Sequence, residues 1–404
     1  YRGYPYSWVA AIFLWRDIIF LMSKSCVIVD VGNDGVSGAV VNLSTGKDCA
    51  QFLSTVHEPV PSRDNFELKR FLDDVFSAFK TVINRLGTPS SRLVIFLASP
   101  FYASQTRIIR WQKAAPINIS RSLVNQLVGE DRERFRQAEP RLYTEIINDR
   151  HEIVDGKIMQ IKLNRYATAN PYGQKASEIE IDNYISIGST KILDRLRQIA
   201  QPLWHRHRLE FHSSSFVFFN LFRDWWHDVP RALLLNIGGE VTELSLVTDG
   251  VLAETVSYPL GRNSFFRQLT ARLGTILAEA ESLMKMYVTT DQHEAAAGKV
   301  EAVLGEIRVE WLAAFRELLR AISDNHFLAD RIFLLADPVL APVLASWIKE
   351  SNFSNLVMMN RPSFEVIMFY DQAWRKLCRH GEKIIPGHYL LMDALFCDKI
   401  SKVV

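Results

Sequence analysis

The chain has 404 residues, 48% of them hydrophobic, and 47 basic against 45 acidic side chains for a formal charge of +2. This length supports two or more packed lobes, and the near-cancelling charge offers no electrostatic footprint for nucleic acid. The four cysteines, Cys26, Cys49, Cys378 and Cys397, lie far apart with no C-x-x-C pair, which argues against a zinc ribbon or disulfide framework and suits a reducing cytoplasm.

The apolar run Trp8 to Met22 is interrupted by Arg16-Asp17, so neither piece reaches the roughly 20 residues that span a bilayer. No small-residue cleavage site follows it. Residues 1–22 are expected to be a leader outside the fold, with Met22 as the natural start. A short amphipathic anchor is the other reading.

From Cys26 the pattern is strand, turn, strand, turn, strand. Cys26–Asp30 is apolar, and Gly32-Asn33-Asp34-Gly35 is turn chemistry. Ser37–Asn42 is a second strand, Ser44–Lys47 a second turn, and Gln51–Val56 a third strand. Phe66, Phe71, Leu72, Val75, Phe76, Phe79, Val82 and Ile83 follow the 3.6 period, which predicts a helix over Asn65–Leu86 stopped by Gly87-Thr88-Pro89. Arg92–Ala98 is then a buried strand.

About 200 residues on, the order returns. Ala232–Asn236 is an apolar strand followed by Gly238-Gly239, Thr242–Val247 a second, Asp249-Gly250 a hairpin turn, and Leu252–Tyr258 a third. A helix over Gly261–Leu273, a helical region over 275–328, and the strand Arg331–Leu335 follow. Two occurrences of this order predict two facing ribonuclease-H-like lobes. Between them, Ile158–Leu163 and Glu178–Ile187 read as strands and Thr190–Leu203 as a helix, a small α+β unit inserted in the first lobe.

Two glycine hairpins at equivalent places could clasp a polyphosphate. Asp30-Val-Gly-Asn-Asp-Gly35 offers backbone N–H groups with no Cβ in the way, and Asp30 could hold Mg²⁺ through water. Asn236-Ile-Gly-Gly-Glu-Val-Thr242 occupies the same place in the second repeat. A Rossmann turn is disfavoured because a strand, not a helix, follows the glycines. There is no Walker-type G-x4-G-K-[ST].

These segments resemble the two phosphate loops of the actin, sugar-kinase and heat-shock chaperone superfamily. Leu233 to Asn263, with Asp249-Gly250 and Tyr258-Pro-Leu-Gly261, is similar to FtsA and PilM. Asp155-Gly156, Asn170-Pro171-x-Gly173 and Glu178–Ile187 resemble the SHS2-type subdomain of that family. Ala280-Glu281 is similar to its Ala-Glu element near the ribose. The resemblance covers roughly residues 24–400. It implies a duplicated actin-like ATPase fold with first lobe 23–107 plus 209–228, inserted subdomain 108–208, second lobe 229–264 plus 329–404, and helical subdomain 265–328. It implies nucleotide contacts from Asp30, Gly32, Asn33, Asp34, Gly35, Asn236, Gly238, Gly239, Glu240, Glu281, Lys285, Ala336 and Asp337, with Asp30 toward the metal and ATP with Mg²⁺ as the ligand.

Four departures weaken that site. Asn236 stands where Asp is usual, Glu240 where a third glycine is usual, and Met284 where a basic residue is expected, with Lys285 one place off. Ala336-Asp337-Pro338 replaces a glycine-rich adenosine loop. A Glu240 carboxylate turned toward phosphates would be repelled by about 4 kcal/mol at 4 Å and an effective dielectric of about 20. The expected function is an FtsA-like or PilM-like cytoplasmic scaffold, without efficient ATP hydrolysis. It would bind division-ring or pilus inner-membrane proteins through 108–208, with self-association open, and would be peripheral to the membrane through a partner. An active actin-like ATPase is the alternative.

The other features read blandly. His205, His207 and His212 are expected on a solvated face rather than around a metal. Ser213-Ser-Ser215 is expected to be a polar loop without a nucleophile elbow. Phe216–Trp226 is expected to be lobe core or an inter-lobe helix, and Glu130–Arg136 a solvated mixed-charge helix face. Tyr389–Ile400 is expected to be the last packed element rather than a linker and membrane helix.

Overall fold

A computed structural model describes residues 25–43, 50–61, 67–87, 90, 92–137, 150–204, 208–289, 295–323, 328–354, 356, 363–369, 378–380, 384 and 386–403. The proposed leader, the Ser44–Lys47 turn, His205 and His207 lie outside them. Among the described residues no helix is long and apolar enough to cross a membrane.

The first lobe is built on β1 (Ser25–Val31), β2 (Gly35–Asn42), β3 (Gln51–Pro59), β4 (Arg92–Leu97) and β9 (Arg208–Ser213). β1 pairs antiparallel with β2 and parallel with β4, giving the order β3-β2-β1-β4-β9. The second lobe uses β10 (Arg231–Ile237), β11 (Thr242–Thr248), β12 (Val251–Tyr258), β13 (Arg331–Leu335) and β14 (Glu365–Met368). Its order is β12-β11-β10-β13-β14, again with one antiparallel and one parallel partner for the first strand. The repeated order is therefore a repeated topology of two ribonuclease-H-like lobes.

Alternation explains the layers. Val27, Val29 and Val31 of β1 face α1 (Leu68–Leu86), whose Val75, Phe79, Val82 and Ile83 cover them. Gly87, at φ 69, ends α1, and its N–H reaches the Ile83 carbonyl. Cys26 and Ile28 point the other way, into a core shared between the lobes. That core includes Leu234, Phe333 and Leu335 of the second lobe. Through it runs α4 (Ser214–Trp225), with Ser214 through Phe222 all buried. The aromatic run is thus an inter-lobe helix. Phe222 meets Phe333 at 4.8 Å and Phe218 meets Phe369 at 4.3 Å between ring centroids, spacings at which aromatic pairs attract beyond simple burial.

The inserted unit is the sheet β5-β8-β6-β7, formed by β5 (Tyr102–Asn118), β6 (His151–Leu163), β7 (Tyr166–Ala167) and β8 (Lys175–Ser189), with α2 (Arg121–Gln137) on one face. Its bounds differ from the expected 108–208. The sheet already begins at Tyr102. Helix α3 (Thr190–Ala200) returns Ile192, Leu193 and Leu196 to the first-lobe core. The C-terminal segment, expected in the second lobe, also reaches the first. β15 (Arg379–His380) pairs with β3, and, beyond α8 (Ala341–Glu350), α9 (His388–Val403) packs Leu390, Leu391, Ala394 and Phe396 into the shared core. The apolar face of α9 is covered there, as expected for a packed final element.

The three serines after His212 are not an open loop. Ser213, Ser214 and Ser215 are buried at the start of α4. Asp155 of β6 accepts from the Ser213 N–H at 2.8 Å and its hydroxyl at 2.6 Å, and from Ser186 at 2.8 Å. His212 is likewise not solvated: its Nδ1 lies 2.7 Å from Asp155. One carboxylate of the inserted unit thereby anchors the inter-lobe helix.

Candidate functional site

The two hairpins face each other across a cleft of about 670 Å³ lined by Asp30, Asp34, Gly35, Gly238, Glu281 and Asp337, together with Arg262, His57, His388 and Tyr389. β1 delivers Asp30 because position 30 shares the inter-lobe parity of Cys26 and Ile28. β10 delivers Asn236 in phase with Ala232 and Leu234.

The loop tips touch. Asn33 donates to the Ser99 carbonyl at 2.6 Å and accepts the Glu240 N–H at 2.9 Å, which ties the first loop to the second. A Cβ on Gly239 would lie 2.3 Å from Asp34 Cβ and 2.6 Å from Asn33 Oδ1. Several loop amides are already committed. Gly32 N–H bonds the Gly35 carbonyl and Gly238 N–H the Val241 carbonyl, each at 3.0 Å. A helix start is a ready anion site. Here, at the start of α5 (Arg262–Leu273), the N–H groups of Arg262 and Asn263 bond the Gly238 and Gly239 carbonyls at 2.8 and 2.7 Å.

Arg262, which sequence reasoning missed, sits across the far end. Its Nε donates to Asp337 at 2.9 Å and its Nη2 to Glu281 at 2.5 Å, with the guanidinium 4.6 Å from the Phe266 ring centroid. Glu281 lies on α6 (Leu277–Thr289) and Asp337 follows β13, so one side chain fastens the helical subdomain to the second-lobe sheet. The only local signal was a cation at a helix start, where the dipole is unfavourable and carboxylate partners are required.

Seven predicted positions, Gly32, Asn33, Asn236, Gly239, Glu240, Lys285 and Ala336, are not among the residues that line the cleft. The Glu240 carboxylate turns to Arg267, at 2.9 and 2.8 Å, and to Asn263 at 3.0 Å. Lys285 is exposed on α6, where the helical phase gives Met284 the buried place. Ala336 is fully buried in the second-lobe core. Asn236 is buried beside the cleft and accepts from Tyr389 of α9 at 2.8 Å. Among the described residues no group of three or more His, Cys, Asp or Glu is placed to hold a metal ion.

The electrostatics are those of carboxylates in a dry place. Burial first, and then the neighbouring Asp34, push Asp30 up to about 8. Burial also raises Asp34, against the pull of Arg262. Burial raises Asp393 of α9 well above the usual range, and the charge of Asp30 adds to this.

Deeper between the lobes, Glu243 of β11 accepts the Tyr102 hydroxyl at 2.8 Å, with Ser214 at 3.4 Å. Burial pushes Glu243 up to about 7, opposed by these hydrogen bonds and by Asn236. The folded chain thus holds a proton that the unfolded chain has released between about 4.5 and 7. This contribution to stability is present at low pH and lost as pH rises through the folded value. Glu243→Gln is expected to stabilise the protein by about 1–3 kcal/mol at pH 8 and by little at pH 4.5. Urea unfolding at both pH values checks this, and an equal change at both would refute it.

No protein-family model and no curated protein sequence matches the chain. Among solved structures, the "PilM-PilN type IV pilus biogenesis complex" is similar with a TM-score of 0.55 at 13% identity, over 95% of this chain and 99% of the other. The ethanolamine utilization protein EutJ from Carboxydothermus hydrogenoformans gives 0.41 at 11% identity over 96% of each chain. A ROK family protein from Streptococcus pneumoniae TIGR4 gives 0.39 at 10% identity over 94% of this chain and 99% of that one. With the strand order above, the chain has the duplicated actin-like ATPase fold.

Proposed function

We propose that this chain is a PilM-like or FtsA-like scaffold protein of a pilus or division assembly, with a cleft that no longer serves ATP. The observation that carries the reading is Arg262, bound at once to Glu281 and Asp337 where the fold family places the nucleoside. Among the described residues, the carboxylates of Asp30, Asp34, Glu281 and Asp337 line the cleft with the Arg262 guanidinium. A nucleoside would meet the ion-paired Arg262, Glu281 and Asp337, and the contact of Gly239 with Asp34 leaves no gap between the loop tips. Asn236 fits the same account. Its cross-strand partner is the buried Glu243, and an Asp there would set two carboxylates side by side. Mg²⁺–ATP therefore does not fit these residues.

The likeness to the PilM–PilN complex in fold and in coverage supports the pilus side of the reading. The inserted unit is the proposed partner-facing module, and a membrane protein partner would place the chain at the inner face of the cell membrane.

Calorimetric titration of the purified chain with ATP and Mg²⁺ tests this. No micromolar binding and no turnover are expected. Restoring Asn236→Asp, Glu240→Gly, Ala336→Gly and Asp337→Gly is expected to fail unless Arg262 is also replaced, because the guanidinium still occupies the cleft. Micromolar ATP binding with turnover by the unmodified chain would favour an active ATPase and overturn the proposal.

A further inference from the structure

A second cavity, sharing no lining residue with the cleft, lies on the inserted unit. It measures about 420 Å³ and is lined by Asn125, Val128, Gly129 and Arg132 of α2 and by Gly156, Lys157 and Ile158 of β6. Positions 125, 128, 129 and 132 share one face of the helix by its 3.6-residue repeat, and Val128 joins that face to the core against the sheet. Among the described residues two cations line it and no carboxylate does.

Arg132 is the unusual member. Its Nε is buried and has no hydrogen-bond partner. Other arginines of the same unit face carboxylates: Arg107 meets Asp131 at 2.8 Å, Arg110 meets Glu180 at 2.9 Å, and Arg165 meets Glu178 at 3.6 Å. Buried donors in folded proteins are nearly always satisfied, and an exception calls for a ligand or water. The guanidinium lies directly over Gly156, where a Cβ would come within 2.6 Å of Nη2. Gly156 thus lets the arginine lie flat along the strand, and Gly129 adds no side chain on the helix side. Lys399 of α9, held by Asp224 at 2.5 Å, has its pKa lowered chiefly by burial, with Arg223 and Lys157 adding repulsion.

We propose that this pocket binds a phosphate-type anion, with Arg132 and Lys157 as its cationic contacts and the Asn125 amide as a further donor. A guanidinium offers several N–H donors in a fixed fork suited to phosphate oxygens, and a lysine adds a point charge. The volume of about 420 Å³ leaves room for a phosphate carried on a larger molecule, either a soluble phosphomonoester or a lipid headgroup. The inference is independent of the reading of the cleft.

The test is thermal unfolding of the full chain in sodium phosphate and in sodium chloride at matched ionic strength. The wild type is expected to melt higher in phosphate. Arg132→Met is expected to match the wild type in chloride, since no bond is lost, and to gain nothing from phosphate beyond the general salt effect. Lys157→Ala, at an exposed position, is expected to weaken phosphate binding about tenfold, followed by the saturable shift of the Gly129 and Gly156 amide resonances. Flotation with phosphatidylcholine vesicles, with and without phosphatidate, locates the source. Retention that needs both phosphatidate and Arg132 places the phosphate on a lipid. Stabilisation by phosphate without retention places it on a soluble molecule. Equal stabilisation of wild type and Arg132→Met, or no localised amide shift, overturns the proposal.

Discussion

Arg262→Ala is expected to destabilise the protein by about 2–3 kcal/mol and to loosen the helical subdomain from the second-lobe sheet. Removing one partner of a buried ion pair costs about 3–5 kcal/mol because a carboxylate is left uncompensated. The lower figure applies here because Arg262, Glu281 and Asp337 keep between 22% and 30% of their side-chain exposure. Two carboxylates are orphaned at once, and the stacking on Phe266 is lost as well. The cause can be separated from simple loss of bulk. Arg262→Met combined with Glu281→Gln and Asp337→Asn removes all three charges and should recover most of the loss. Denaturant unfolding of the single and triple variants reads this directly. A triple variant no better than Arg262→Ala would show that packing, not uncompensated charge, set the cost. Hydrogen exchange in α6 supplies the second measurement, with faster exchange there than in β10 expected for the single variant.

Gly261→Ala should be more damaging still, at about 3 kcal/mol or more. The added Cβ would lie 2.4 Å from the Gly239 carbonyl oxygen and 2.6 Å from that of Gly238. Both are backbone atoms and cannot swing aside. They also accept the N–H groups that begin α5, so relief of the clash breaks the join between the second loop and its helix. Gly239→Ala drives the same wedge from the other side, against Asp34 and Asn33. It is expected to part the two loops and release the Asn33 bond to Glu240. Gly305→Ala is the control. It lies within the long helix α7 (Ala295–Ser323), nothing stands within 4 Å of its added Cβ, and it should stabilise by about 0.5–1 kcal/mol. Melting temperatures of the three variants suffice. A Gly261→Ala protein as stable as Gly305→Ala would refute the account of touching loops.

Much of this architecture is written locally. β1, β2, β10 and β11 are short apolar segments separated by glycine turns. The Asp249-Gly250 turn has both residues at positive φ, 52 and 76, as a tight hairpin demands. α1 shows its face in the spacing of Val75, Phe79, Val82 and Ile83. Such features depend on neighbours within one turn of helix or one pair of strands, so the chain announces them before it packs.

The positions that decide the cleft are of another kind. Glu243 sits in an ordinary alternating strand, and its polar neighbour positions suggest a face in water. That face turns out to be the inter-lobe one, where Tyr102, more than a hundred residues earlier, donates to it. Arg262 meets Asp337 across 75 positions of sequence. Glu240 invites the thought of a carboxylate among phosphates, yet it is claimed by Arg267 from one side of α5. Tyr389–Ile400 could be recognised as a packed helix, but not as one that crosses back to the first lobe.

The sequence by itself determined the duplicated hairpins, the inserted unit and the presence of Asn, without a charge, at position 236. Each of these follows from side-chain periodicity, turn chemistry or residue identity. Only the tertiary structure decided that the loops touch, that Arg262 holds Glu281 and Asp337 together, and that Arg132 faces a pocket without a carboxylate. Charge pairing acts over a few ångströms in space, and spacing along the chain carries no record of which distant residues folding will bring that close.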